Sequence, residues 1–205
     1  MKKLLVKGIF LTGLLYSISS CNDSSNDSTT TSDTTATSTT TDTSTTGSTA
    51  RPSEADSKFA MEAASGGMME VALGKLALTK ATSPMVKQHA QMMVDDHGKA
   101  NSELKSLAAT KNIMLPDSMN EDHKKHYQEL SEKKGKDFDK AYTDLMVDDH
   151  KKDLDKFKDE AEKGTDADLK AWAAGKVPVL EQHLQGWQMT KDGKKSMSTS
   201  DTTKK

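Results

Sequence analysis

Two histidines of this chain lie in the same short sequence context. The pentapeptide Met-Val-Asp-Asp-His occurs at 93–97 and again at 146–150. In both copies the histidine falls on the apolar stripe of a helical pattern, which is the side that faces the core of a bundle. Imidazole nitrogen is a common ligand for transition metal ions. We therefore expect two related helices to face one another, with His97 and His150 at the centre.

Two further ionisable side chains complete the candidate site. Glu70 falls on the apolar stripe of an earlier helical segment, and His183 falls at the edge of the stripe of the last one. Counted from the nearest turns at about 1.5 Å per residue, all four side chains reach mid-bundle with mismatches of roughly 4–5 Å. Burial of such groups is unfavourable unless they are paired or metal-bound. The sequence therefore predicts a mononuclear Zn, Fe, Mn or Cu site formed by Glu70, His97, His150 and His183.

A metal-free interpretation of the same residues stays open. The glutamate can pair with a protonated histidine, and buried histidines are most often hydrogen-bonded structural residues. A ferritin-type di-iron centre needs Glu-x-x-His on two helices. Here Val94 and Val147 stand three residues before the repeated histidines, so a carboxylate-bridged di-iron oxidase is not expected.

Methionine and aspartate residues beside the histidines offer other roles. Met93 and Met146 each precede a histidine by one helical turn, a spacing that suits copper or, more remotely, axial ligation of haem. Methionine at helical spacing is more often core filler. Asp96 and Asp149 directly precede the histidines, and we expect them to face water unless they orient a ring from outside the ligand shell.

The remaining histidines are not predicted to be ligands. His89 lies off the line of the apolar stripe, so we expect it near the surface. His123 and His126 lie in a short segment rich in acids and lysines, where a solvated helix face is expected.

The elements that position these residues are helices. Residues 53–191 are rich in Ala, Leu, Lys, Glu, Met and Asp and show no strand alternation, which predicts an all-α domain. Proline and glycine residues at helix ends divide the domain into four long helices and one short polar helix between the second and third. The predicted ranges are 55–80, 84–111, 119–133, 136–163 and 166–190. Pro178 is expected to kink or break the last helix one turn before its histidine.

The segments on either side of this domain have their own signatures. Residues 1–20 combine a basic start with a short apolar run, which is typical of an export signal and too short to span a bilayer. The run ends at Cys21, the only cysteine, in a context that resembles a bacterial lipobox. We therefore expect Cys21 to carry lipids that hold the protein on a membrane. Residues 21–52 are predicted to be a disordered Ser/Thr-rich stalk, and 192–205 a disordered tail.

Five short motifs follow one another through the predicted domain. They are Glu-Val-Ala-Leu-Gly at 70–74, Val-Lys-Gln-His-Ala at 86–90, Met-Val-Asp-Asp-His at 93–97, Phe-Asp-Lys-Ala-Tyr at 138–142 before His150, and Leu-Lys-Ala-Trp-Ala at 169–173 before His183. In this order they resemble domain of unknown function 4142, a family of bacterial envelope proteins often labelled predicted outer-membrane proteins. The resemblance covers nearly the whole domain. It implies a ferritin-like antiparallel four-helix bundle in the cell envelope, and it implies no reaction, since the family has no established activity.

Several function classes lack support in the sequence. The net charge is −2 with no basic face, so nucleic acid is not an expected partner. The chain has no Gly-rich phosphate loop, nucleophile elbow or second cysteine, so hydrolase or nucleotide-dependent chemistry is not predicted, and no enzyme activity is expected. Two hypotheses remain. One is a metal-binding envelope lipoprotein for sequestration or protection from oxidants, and the other is a metal-free tethered module that contacts an unidentified protein or has a structural role.

Overall fold

The computed structural model describes residues 51–193, which form five α-helices and no strand. The helices are α1 (Glu54–Lys80), α2 (Pro84–Lys111), α3 (Glu121–Glu132), α4 (Gly135–Lys163) and α5 (Ala167–Lys191). The predicted all-α class and all five predicted segments are confirmed. The export signal, Cys21, nearly all of the stalk and most of the tail lie outside the described residues.

Local side-chain caps fix where three of the four long helices begin, namely α1, α2 and α5. Ser53 and Asp56 form a reciprocal capping box at the start of α1, and Ser83 caps α2 immediately before Pro84. Asp166 accepts hydrogen bonds from the first backbone N–H groups of α5. Each cap satisfies N–H groups that have no partner inside the helix, which explains why the helix starts could be read from the sequence.

Helix α5 is continuous, although Pro178 was expected to kink or break it. Pro178 lies inside α5, and the helix continues on both sides of it from residue 167 to 191. The proline removes one backbone donor, but Leu169, Ala173 and Leu180 on the same helix are buried in the core. Tertiary packing of this face keeps the helix continuous, so the predicted helix break is not observed.

The helices pack as an antiparallel bundle with one long crossover. Short turns join α1 to α2 and α4 to α5, and the two pairs lie side by side. Asp56 near the start of α1 accepts a 3.0 Å hydrogen bond from the Thr165 backbone just after α4. At the other end, the Thr82 backbone donates a 3.0 Å hydrogen bond to Asp139 near the start of α4. Helices α1 and α4 are therefore antiparallel, and the 112–134 connection containing α3 is the crossover that ferritin-like bundles use.

Apolar layers occupy both ends of the bundle. The larger cluster contains Met93 and Met146 together with Leu73, Tyr142 and Trp187. At the other end, smaller clusters are built around Leu104, Leu169, Phe157 and Leu180. The two methionines thus pack in the apolar layer that contains the largest buried side chains, as core filler does. Within the described part of the chain, no helix has the length and apolarity needed to cross a membrane.

Two histidines outside the candidate site lie deeper than predicted. His89 is buried, its ring centroid is 5.0 Å from that of Trp187, and its Nδ1 is hydrogen-bonded to the Thr190 hydroxyl at 2.9 Å. The surface position expected for it is wrong because α2 packs against both α1 and α5, which buries more than a single stripe. His123 is half-buried and hydrogen-bonded to the Ser65 hydroxyl at 2.7 Å, because α3 packs on α1.

Candidate metal centre

Each long helix contributes one polar side chain to the middle of the bundle. Glu70 comes from α1, His97 from α2, His150 from α4 and His183 from α5, and all four are buried. The three imidazole centroids lie 5.3–5.5 Å from one another. The repeated histidines therefore do face one another across the bundle, and the edge position expected for His183 becomes a buried one.

Each of these imidazoles uses one ring nitrogen in a hydrogen bond. His97 Nδ1 lies 2.6 Å from Glu70 Oε2, and His150 Nδ1 lies 3.0 Å from the carbonyl oxygen of Met146. His183 Nε2 lies 2.9 Å from Asp96 Oδ2. A carboxylate or carbonyl oxygen that accepts from one ring nitrogen fixes the tautomer and aims the other nitrogen. All three rings therefore have a defined orientation.

The other nitrogen of each ring is buried and lacks a hydrogen-bond partner among residues 51–193. These atoms are His97 Nε2, His150 Nε2 and His183 Nδ1. One ring nitrogen from each of the three histidines lies within 4.8 Å of the others. A tetrahedral ion with bonds of about 2.0–2.1 Å needs ligand atoms roughly 3.3 Å apart. Small ring rotations would close that difference, so these donors fit one transition metal ion.

Burial keeps the three histidines neutral at physiological pH. It lowers the pKa of His97 to about 4, against the opposing charge of Asp153, and it lowers the pKa of His183 to about 4 against Asp96. Burial, followed by the neighbouring His97 and His183, also lowers the pKa of His150. Metal binding requires the deprotonated ring nitrogen, so the trio is in its ligating form at pH 7.

A cluster of carboxylates adjoins the histidines. One oxygen of each of Glu70, Asp149 and Asp153 lies within 4.8 Å of the others. Burial, and then the charge of Asp153, raises the pKa of Glu70. Burial, and then the charges of Glu70 and Asp153, raises the pKa of Asp149 to about 8. Burial also raises the pKa of Asp153. Glu70 therefore connects the carboxylate cluster to the histidines, because its Oε2 also contacts His97 Nδ1.

Of the two aspartates that precede the repeated histidines, only Asp149 departs from the sequence expectation. Asp96 keeps an exposed side chain but orients His183 of another helix. Asp149 was expected to face water, whereas it is half-buried with Oδ2 enclosed. Asp153 is a site residue that sequence reasoning missed. Its signal was present, because it lies three residues after His150 and four before Phe157, which is the spacing of the buried stripe.

A small cavity of about 130 Å³ gives access to one side of the trio. His97 and His183 line it directly, with Phe157 and Leu180 on the apolar wall and Asp96 at the polar side. A space of this size holds a few water molecules. A ligand of a few heavy atoms could therefore reach the histidines without a rearrangement of the helices.

The fold and the site define this protein as an antiparallel helical bundle with a polar, histidine-lined centre. Its family can be stated directly. The profile of the DUF4142 family, described as a domain of unknown function, matches residues 41–189, and the chain belongs to that family. This confirms the resemblance found in the sequence motifs. No curated protein matches this chain in sequence.

Solved structures of low sequence identity share the fold. A DUF305 fragment from Deinococcus radiodurans is 8% identical, with a TM-score of 0.62 over 70% of this chain and 99% of that one. A DUF305 protein from Streptomyces coelicolor is 17% identical, with a TM-score of 0.58 over 71% and 97%. CopM in its Cu(II)-bound form is 13% identical, with a TM-score of 0.58 over 67% and 96%. These similarities support the helical-bundle fold.

Proposed function

We propose that this protein binds one late first-row transition metal ion, Cu(II) or Zn(II), through His97, His150 and His183. Two observations on the same three rings support the proposal. One nitrogen of each ring lies within 4.8 Å of one nitrogen of each of the others, and each ring has an enclosed nitrogen without a hydrogen-bond partner among residues 51–193. A buried polar atom without a partner is unfavourable by roughly 1–3 kcal/mol. A purely structural role for the three histidines does not explain why each keeps an unpartnered ring nitrogen. A cation bound by all three rings would interact with these nitrogens.

In this proposal Glu70 supports a ligand histidine instead of serving as a fourth ligand. Its Oε2 already accepts from His97 Nδ1 at 2.6 Å, in the way that carboxylates support metal-bound imidazoles. The Met146 carbonyl and Asp96 support the other two rings. A metal held by three protein ligands would be able to take an external fourth ligand, and the small cavity lined by His97 and His183 adjoins two of the three histidines.

Copper and zinc are favoured over iron and manganese by the donor set. Three neutral imidazoles suit Cu(II) and Zn(II), which stand at the strong end of the divalent affinity series. The structural neighbour CopM was solved in a Cu(II)-bound form, which gives a precedent for copper in a bundle of this shape. Sequestration of such an ion, or protection from oxidants that free copper would generate, is the proposed role.

Elemental analysis of the purified protein tests the metal site. The full-length chain would be prepared in detergent without a histidine tag, exposed to Cu(II) or Zn(II), desalted and measured by mass spectrometry. We expect close to one equivalent in the parent and almost none in His97→Gln/His150→Gln. His126→Ala, which changes a histidine outside the trio, should match the parent. Circular dichroism would show whether each variant keeps its helices.

The opposite result identifies the other hypothesis. A folded parent that takes up neither ion would leave the three ring nitrogens as structural groups. Equal uptake by the parent and the double glutamine variant would place the metal elsewhere. Either outcome rejects the histidine site, and the absence of uptake also favours a metal-free tethered module.

We also propose that the protein is lipid-anchored in the cell envelope through Cys21. The basic and apolar leader with its lipobox-like end supports this, and the Streptomyces coelicolor neighbour is described as secreted. Intact-mass analysis of the membrane fraction should show acyl chains on the parent. Cys21→Ser should lack them and leave the membrane fraction. An unacylated parent that begins upstream of Cys21 would reject the anchor.

A further inference from the structure

We infer that Glu70, Asp149 and Asp153 form a second cation site, distinct from the histidine trio and suited to an oxygen-preferring divalent ion such as Mn²⁺. None of the three histidines is needed as a ligand there. The inference therefore stands whether or not the histidine trio binds metal. Its chemical basis is the donor type, since carboxylate oxygens favour Mg²⁺, Ca²⁺ and Mn²⁺, whereas imidazole favours later metals.

The geometry brings three carboxylates from two helices to one point. One oxygen of each lies within 4.8 Å of the others. Asp149 and Asp153 are one helical turn apart on α4, so they share a face of that helix, and their proximity to Glu70 shows that this face packs on α1. There they meet Glu70 and the side of Gly66, one turn earlier, where an added Cβ would lie 3.7 Å from Asp153 Oδ2. The cluster is thus built by the packing of α4 on α1, not by a flexible surface loop.

An independent observation comes from the glutamate itself. Glu70 is 1% exposed, and its Oε1 has no hydrogen-bond donor among the residues that the structure describes. The nearest ring nitrogen, His150 Nδ1, is 3.4 Å away and is already hydrogen-bonded to the Met146 carbonyl. Asp149 Oδ2 is likewise enclosed without a partner. Two enclosed carboxylate oxygens in one cluster thus lack a hydrogen-bond donor, and a bound cation would interact with both.

No lysine neutralises the cluster by direct contact. Among residues 51–193, none of the ion pairs joins a lysine to Asp149 or Asp153. Lys152 and Lys156 act on both aspartates only through their nearby charge, and Lys156 pairs with Glu62 at 3.2 Å. A polar groove of about 520 Å³, lined by Asp149 and Asp153 together with residues of α3, leads from solvent to the cluster. A hydrated cation can therefore enter from the α3 side, while the histidine cavity opens beside α5.

Titration with Mn²⁺ tests this site directly. The full-length protein in detergent would first be given one equivalent of Zn²⁺, and free Mn²⁺ would then be followed by its electron paramagnetic resonance signal. We expect one further equivalent of Mn²⁺ to bind. Asp149→Asn/Asp153→Asn should weaken that binding by at least about tenfold, since affinity follows the number of charged ligands. Asp155→Asn/Asp159→Asn, an exposed pair with the same spacing on α4, should leave it unchanged.

The outcomes separate this inference from the histidine proposal. Mn²⁺ binding that survives in His97→Gln/His150→Gln but fails in the Asp149/Asp153 variant supports the second site, even if Zn²⁺ never binds. No Mn²⁺ binding in the folded parent overturns the inference, because the carboxylates then share protons instead of a cation. An equal loss of Mn²⁺ binding in the Asp149/Asp153 variant and in the Asp155/Asp159 variant overturns it too. Such a result would show only diffuse attraction of Mn²⁺ to acidic residues. If the double variant does not fold, Asp153→Asn alone gives the same comparison.

Discussion

Glu70→Gln is expected to weaken Zn²⁺ or Cu²⁺ binding by about 10–100-fold while it stabilises the metal-free protein at pH 7.5. The first effect follows from the 2.6 Å contact with His97 Nδ1, because a neutral amide makes that imidazole a poorer donor. The second follows from burial and the charge of Asp153, which raise the pKa of Glu70. When the pKa of an acid is raised in the native state, the folded protein loses stability as the pH rises above the pKa that the acid has in the unfolded chain. The two effects have opposite signs, which a general disturbance of the core would not produce.

Competition against a chelating dye would give the affinity, and calorimetry of the metal-free protein would give the melting temperature. Glu62→Gln is a matched control two turns earlier on α1, where the carboxylate is paired with Lys156 at 3.2 Å. It should change neither quantity by much, as expected of an exposed ion pair. Unchanged metal affinity in Glu70→Gln would remove this residue from the site. A loss far beyond 100-fold, with an altered ligand count by X-ray absorption, would make it a direct ligand.

Glu160→Gln is expected to stabilise the protein at pH 8 and to have little effect near pH 4.5. Burial, followed by the charge of Asp56 and a hydrogen bond to it, raises the pKa of Glu160 from 4.5 to about 7. Although burial opposes it, hydrogen bonds from Thr165 and Ser53 lower the pKa of Asp56 to about 2. Asp56 therefore stays ionised, and Glu160 is the member of the pair that holds a proton.

The direction of the pH effect follows from proton linkage. Below pH 4.5 Glu160 is protonated in both the native and the unfolded protein and contributes no pH dependence. Between pH 4.5 and about 7 the unfolded chain releases the proton first, so native stability falls as pH rises. A tenfold difference in proton affinity is worth about 1.4 kcal/mol, so the total loss at pH 8 is at most about 3–4 kcal/mol. Glutamine can donate to Asp56 without ionising, and it removes this loss.

Urea unfolding of the parent and Glu160→Gln at pH 4.5 and pH 8 would measure the difference. Glu162→Gln, an exposed acid at the same end of α4, serves as the control and should show no pH-dependent gain. A stability difference between parent and Glu160→Gln that is equal at both pH values would contradict the raised pKa. A variant that is less stable at pH 8 would show that the ionised carboxylate is favourable in the fold.

The helices and the inward direction of the central histidines were determined by the sequence itself. Caps such as Ser83 and Asp166 satisfy backbone groups within a few residues of themselves, so helix starts are local properties. The apolar spacing around His97 and His150 likewise depends only on the 3.6-residue period. These local rules were enough to predict the bundle and to place three histidines and Glu70 in its centre.

Only the tertiary structure decided which atoms of those residues are available to a ligand. Asp96 orients His183 although 87 positions separate them, and Glu70 takes up one nitrogen of His97 from a neighbouring helix. Asp153 joined the site, and His89 became buried. Such contacts depend on rotamers and on which helices lie side by side, and helical periodicity constrains neither. The sequence could therefore place side chains on the core face, whereas packing determined which ring nitrogens and carboxylate oxygens meet there.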